Sequence, residues 1–183
     1  IWAGIFNEKS TEVSYVVRTT ANEQEVGTTA LPGKIVLTDA NGKTIKEITP
    51  DDNGVYEIST GIEESVNVSV SGADDDNIYI NNQRVASDTA AKIALNQSEI
   101  KVVRIIVQNG EKQPVYAYLK LVPDDVKAAE QVEELIDAIG DVTLDSYDDI
   151  TAARTAYDKL SDNAKTLVEN YETLTAAEEA LAK

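Results

Sequence analysis

Apolar and polar positions alternate most clearly along Lys101–Val122, KVVRIIVQNGEKQPVYAYLKLV. Val103, Ile105 and Val107 fall on one face of a strand, and Val115, Ala117, Leu119 and Leu121 on one face of the next. β-Branched residues crowd the first strand, and Asn109-Gly110 offers positive φ for a tight reversal, so the stretch predicts a β-hairpin. Upstream, Ile35–Thr38, Lys43–Thr49 and Val55–Ser59 are divided by Asp39-Ala40-Asn41-Gly42 and Asp51-Asp52-Asn53-Gly54, two further hairpin signals. Short strands follow at Val66–Val70, Asn77–Ile80 and Lys92–Leu95. A strand is also predicted over Val13–Thr19, with a polar loop over Asn22–Thr29.

The period changes after Pro123. Asp124-Asp125 suits a helix N-terminus, where the backbone dipole favours negative charge. Ala129, Val132, Ile136 and Ile139 then recur at spacings of three and four, up to a Gly140 cap. Asp145-Ser146 is expected to cap a second helix with Ile150, Ala153, Tyr157 and Leu160 on its apolar stripe. Ser161 is expected to cap a third, facing Ala164, Leu167, Tyr171, Leu174 and Leu181 inwards. Thr175 and Glu178 offer an internal capping box, so a kink is expected near Asn170–Thr175. The predicted architecture is all-β plus all-α: an Ig-like β-sandwich over 1–122, then a three-helix bundle over 123–183. Whether residues 1–50 complete the sandwich or form a separate unit is left open by the pattern.

Three stretches carry resemblances. LTDANGKTIKEITPDDNGVYEIS resembles surface modules of the Cna-B and carboxypeptidase-regulatory type. In Cna-B domains a Lys–Asn isopeptide is common; Lys34 has a suitable position, and no Asn is assigned to it. VNVSVSG, IYINNQRV and AKIALNQSEIKVVRIIVQNGEKQPVYAYLKLV resemble the cadherin-like sandwich of bacterial secreted proteins, without the Gly that is common at the Asn96-Gln97 turn. LIDAIG, VTLDS, AARTAYDKLS and LVENYETL resemble a helical module of large surface proteins of Gram-positive bacteria, clostridia especially. These resemblances imply an extracellular, secreted or cell-wall-attached setting, with neighbouring modules of the same polypeptide as partners.

Composition narrows the chemistry. The 183 residues include no Cys, His or Met. Disulfides, Cys-based zinc sites and Ser-His-Asp or Cys-His catalysis are therefore excluded within this chain. The formal charge of −17 opposes nucleic acid and anionic membrane surfaces. It divides as −6 over residues 1–122 and −11 over residues 123–183, a shift that falls where the period changes. No apolar run approaches the roughly 18 residues of a membrane span. Ile1 opens the chain without a Met or a basic leader, which predicts an excised or mature segment.

Candidate sites are few. Asp74-Asp75-Asp76-Asn77 and Asp51-Asp52-Asn53-Gly54 offer oxygen ligands for calcium, although neither follows the EF-hand spacing. Solvated turns are the simpler explanation of both. Tyr116 and Tyr118 share one strand face and, with Tyr79, suit a sugar-stacking surface; packing in a core is the competing explanation. Trp2, the one Trp, reads as a plug that ties down the terminus, or else as a stacking platform. Asn67-Val68-Ser69 matches a eukaryotic glycosylation acceptor. Paired carboxylates can hydrolyse glycosides without His, yet nothing in the sequence marks a buried pair. The expectation is a non-catalytic spacer that presents other modules and needs no cofactor. The alternative is an adhesion or carbohydrate-binding module that recognises a glycan or host protein. An exposed aromatic or apolar patch would separate the two.

Overall fold

The computed structural model describes residues 4–5, 13–14 and 27–182. The plug at Trp2 and most of the Val13–Thr19 strand lie outside them. Strands β1 (Gly4–Ile5) and β2 (Val13–Ser14) form a small antiparallel pair. The remaining strands are β3 (Lys34–Thr38), β4 (Thr44–Ile48), β5 (Val55–Gly61), β6 (Ser65–Ser71), β7 (Asp76–Ile80), β8 (Gln83–Val85), β9 (Ala91–Ala94), β10 (Lys101–Asn109) and β11 (Val115–Pro123). They build a five-stranded sheet, β5-β11-β10-β7-β8, and a four-stranded sheet, β4-β3-β6-β9. Pairing is antiparallel except for β5 beside β11.

Alternation is what joins the sheets. Ile35 and Leu37 of β3 and Val66, Val68 and Val70 of β6 are buried, as are Val103, Ile105 and Val107 of β10 and Leu119 and Leu121 of β11. All lie in one core shared by both sheets. β3 sits inside the four-stranded sheet, so residues 34–48 are integral to the β-module.

Local chemistry sets the reversals. Gly54 holds φ +62, and a Cβ there would stand 2.7 Å from the Tyr116 carbonyl oxygen, so only Gly fits. Asn81 and Asn82 take φ +48 and +68 between the paired Ile80 and Gln83, a two-residue hairpin turn. The short β8 that follows lacks an apolar alternation long enough to be read in the sequence.

The β10–β11 connection is longer than a tight turn. The last pair is Val107↔Val115, and β10 continues to Asn109 against Asp76 of β7. The loop is held open because Gln113 pairs with the upstream segment: Thr29 N donates to Gln113 O at 2.9 Å, and Gln113 N to Gly27 O at 2.9 Å. Backbone groups of both segments are thereby satisfied.

Helix α1 (Asp124–Asp137) begins at the residue after β11. A 3-10 turn (Leu144–Ser146), α2 (Tyr147–Asp158), α3 (Asp162–Leu167) and α4 (Tyr171–Leu181) follow. Ala129, Val132, Ile136, Ile139, Ile150, Ala153, Val168, Leu174 and Ala177 form a second core.

Two helix-end expectations are corrected. Ser146 precedes α2 but does not cap it with its side chain; its hydroxyl accepts from Thr143 N at 3.0 Å, closing the 3-10 turn instead. The third predicted helix is two. Val168 is extended (φ −73, ψ 109), and α1 satisfies the break: Glu133 Oε1 accepts from Glu169 N at 2.6 Å, and Asp137 Oδ1 from Asn170 Nδ2 at 2.8 Å. The interruption falls at 168–170. No capping box forms at Thr175, whose hydroxyl donates to Glu172 O, while Glu178 binds Arg154.

Candidate functional site

The pleat that buries Ala117, Leu119 and Leu121 turns Tyr116, Tyr118 and Lys120 to the opposite face of β11. Register then fixes their neighbours. Tyr118 lies between Val55 of β5 and Arg104 of β10, and Tyr116 lies opposite Ile106, which in turn faces Tyr79 of β7. Lys120 lies between Glu57 and Val102. The tyrosines named by the sequence are thus gathered on the outer face of the five-stranded sheet. Tyr116 and Tyr118 are 48% and 37% exposed, and Val55 and Val102 are 62% and 55% exposed. Large apolar surface on the outer face of the sheet, beside its β5 edge, has no role in the core.

One end of this face is closed and the other open. Val122 continues the parity of Tyr116 and Tyr118 but is buried where β11 runs into α1. At the open end lies a recess of about 340 Å³, bordered by Leu31, Asp52, Asn53, Val55, Tyr116 and Tyr118.

Hydrogen bonds brace the rim of the recess. Tyr56 OH accepts from Asp51 N at 2.7 Å and donates to Asp51 Oδ1 at 3.0 Å. That bond, helped by Gly54 N and Asn53 N, holds the Asp51 carboxyl below its usual range. Burial raises the Tyr56 phenol. Asp51 therefore serves its turn, while exposed Asp52 borders the tyrosines.

The acidic run at Asp74–Asp76 is arranged otherwise. Asp76 Oδ2 accepts from Ala73 N at 2.8 Å and Oδ1 from Asn109 Nδ2 at 3.0 Å, so both oxygens hold loops together. Asp74 and Asp75 are exposed. Among the described residues no group of three or more carboxylates converges to hold a metal ion. Lys34 lies 3.3 Å from the Glu47 carboxylate, with its side chain 46% exposed, outside the core where an isopeptide would form. Asn67 donates its amide to Asp39 O from within the four-stranded sheet.

In the helices, Tyr157 and Tyr171 stack at 4.4 Å, and Arg154 bridges them to Glu178 through two bonds of 2.6 Å. These groups pack α2 against α4, a structural role for both tyrosines. No described helix is long and apolar enough to cross a membrane.

Sequence reasoning missed Arg104, Val55 and Val102 as members of the tyrosine face. The signal for Arg104 was present: once the hairpin register is known, it must share a face with Tyr118. Val55 was hidden because β5 reaches β11 through a parallel pairing that local pattern cannot show. No family model matches the chain, and no curated protein is detectably similar to it. The chain is a two-sheet β-domain followed by an α-helical module.

Proposed function

We propose that this chain is a non-catalytic binding module whose ligand is a carbohydrate, held on the outer face of the five-stranded sheet. The observation that carries this reading is the exposure of Tyr116 and Tyr118 side by side on β11, flanked by Val55. Tyr provides a large, stiff, amphipathic contact area at low entropic cost. Pyranoses present an apolar face to such rings and hydroxyls to the polar groups around them; Asp52 and Asn53, which border the tyrosines, would meet those hydroxyls. The motif resemblances support an Ig-like, cadherin-like arrangement of the sheets and an extracellular bacterial setting, secreted or wall-attached. Neighbouring modules of one polypeptide would then supply any enzymatic activity.

A spacer role is the second reading, favoured by the junction. β11 ends at Pro123 and α1 begins at Asp124, with no linker between them. Ser59 donates to Asp124 Oδ1 at 2.9 Å, and Ser98 to Asn163 Oδ1 at 3.0 Å.

A glycan array, run with a panel of matrix and serum proteins and with and without calcium, tests both. Saturable glycan binding that Tyr116→Ala and Tyr118→Ala abolish, with unchanged circular dichroism, is expected. Silence on every glycan from the folded chain would leave the spacer. Binding restricted to proteins, or insensitive to the two tyrosines, would contradict the carbohydrate site.

A further inference from the structure

We propose that Asn41 is a site of covalent modification: its side chain condenses with the backbone of Gly42, and the succinimide so formed opens to aspartate or isoaspartate. The reaction needs no ligand and stands apart from the carbohydrate site. Gly42 N loses its proton and bonds to Asn41 Cγ, the Cγ–Nδ2 bond breaks, and the amide nitrogen leaves as ammonia. Water, the one co-reactant, then adds to either carbonyl of the ring. Opening at one carbonyl restores the ordinary backbone as aspartate. Opening at the other leaves isoaspartate, whose free α-carboxylate is the group that isoaspartyl methyltransferases accept.

Asn is thermolabile, and most so before Gly, which has no side chain to hinder its own nitrogen. The chain holds three such pairs, Asn41-Gly42, Asn53-Gly54 and Asn109-Gly110. Sequence does not separate them, but the fold does. Asn53-Gly54 is clamped at the nucleophile. Gly54 is buried, and its N is shared between Asp51 O at 3.2 Å and Asp51 Oδ1 at 3.3 Å. Its O accepts from Tyr118 N at 2.6 Å. Turning that peptide towards Asn53 breaks these bonds. Asn109-Gly110 is clamped at the electrophile. Asn109 is half-buried; its Nδ2 donates to Asp76 Oδ1 at 3.0 Å and its backbone N to Thr29 Oγ1 at 3.1 Å. Cγ cannot reach Gly110 N without leaving Asp76, and the Asp76 carboxylate repels the oxyanion that attack at Cγ creates.

Asn41-Gly42 carries neither clamp. Both residues are exposed, in the turn between β3 and β4. The hydrogen bonds of this turn serve its backbone: Asp39 Oδ1 accepts from Asn41 N and Lys43 N at 2.8 Å each, and Gly42 N donates to Asp39 O at 3.2 Å. Among the described residues the Asn41 side chain has no hydrogen-bond partner, so its Cγ is free to approach Gly42. A Cβ on Gly42 would meet nothing within 4 Å, which leaves room for the ring. Ring closure here gives up one long backbone bond.

The test ages the full chain in mildly alkaline buffer at physiological temperature, beside a sample held unfolded in urea. Peptide mapping by mass spectrometry follows the amide-to-acid exchange at each Asn, and enzymatic carboxyl methylation measures the isoaspartate. In the folded chain Asn41 should react about ten-fold or more faster than Asn53 and Asn109, as expected when each clamp adds roughly one hydrogen bond to the barrier. In urea, where the clamps are gone, the rates of the three should converge. Exchange at Asn53 or Asn109 as fast as at Asn41 in the folded chain overturns the proposal. A lead for Asn41 that is equally large in urea also overturns it, since the fold then contributes nothing. An Asn41 that stays unreacted in the folded chain does the same.

Discussion

Single residues tie the site to the fold. Gly54 closes the turn before β5 and lies against the backbone of Tyr116. Alanine there must adopt left-handed φ and push its Cβ into a carbonyl that cannot swing aside. Gly54→Ala should cost about 2 kcal/mol or more in urea unfolding and displace Tyr116, weakening saccharide binding as well. An unchanged midpoint would mean that the turn relaxes freely. Glu178 offers a pH-dependent check. Its bonds to Arg154 hold its carboxyl below the usual range, against a smaller opposing effect of burial. A lowered folded-state pKa gives stability that is complete above the unfolded value, about 4.3, and lost as pH falls through the folded value. The pair is part-exposed, at 28% and 32%, so its worth is about 1 kcal/mol. The melting-temperature gap between the parent chain and Glu178→Gln should be widest near neutrality and close in acid. A gap that persists well below the carboxylate range would contradict this account.

At the scale of elements, alternation in β3, β6, β10 and β11 was legible because each strand buries one face in a common core. The helical stripes were legible for the same reason at a different period. Tyr116 and Tyr118 could be placed on one face from parity alone. What they face could not, because the parallel β5–β11 pairing joins residues more than sixty positions apart. The break at 168–170 was displaced from its expected position because its donors are satisfied by Glu133 and Asp137 of another helix. The Ser161 cap, made with adjacent residues, was legible. Ser161 Oγ accepts from Ala164 N at 3.0 Å and donates to Asp125 Oδ1 at 2.7 Å, capping α3 and fastening it to α1. Ser161→Ala should therefore destabilise the helical module by about 1–2 kcal/mol in thermal or denaturant unfolding. A loss of a few tenths would show that the bond to Asp125 adds nothing.

The whole molecule joins two cores through one unbroken run of chain from β11 into α1. Such a junction should make the modules tumble together. Nitrogen-15 relaxation should give them one correlation time, and a Gly-Ser-Gly-Ser insertion between Pro123 and Asp124 should shorten that of the helices. Separate correlation times in the parent chain would remove the spacer reading. The junction also closes the Val122 end of the outer sheet face and leaves the Tyr116 end open, so the molecule offers its tyrosines at the end away from the helices. The most direct test of that arrangement is an amide chemical-shift titration of the labelled chain with a mixture of neutral and acidic oligosaccharides. Saturable shifts centred on Val55, Tyr116 and Tyr118, with the helical amides still, are the expected result. Shifts centred on the helices, or none at millimolar saccharide, would contradict the account.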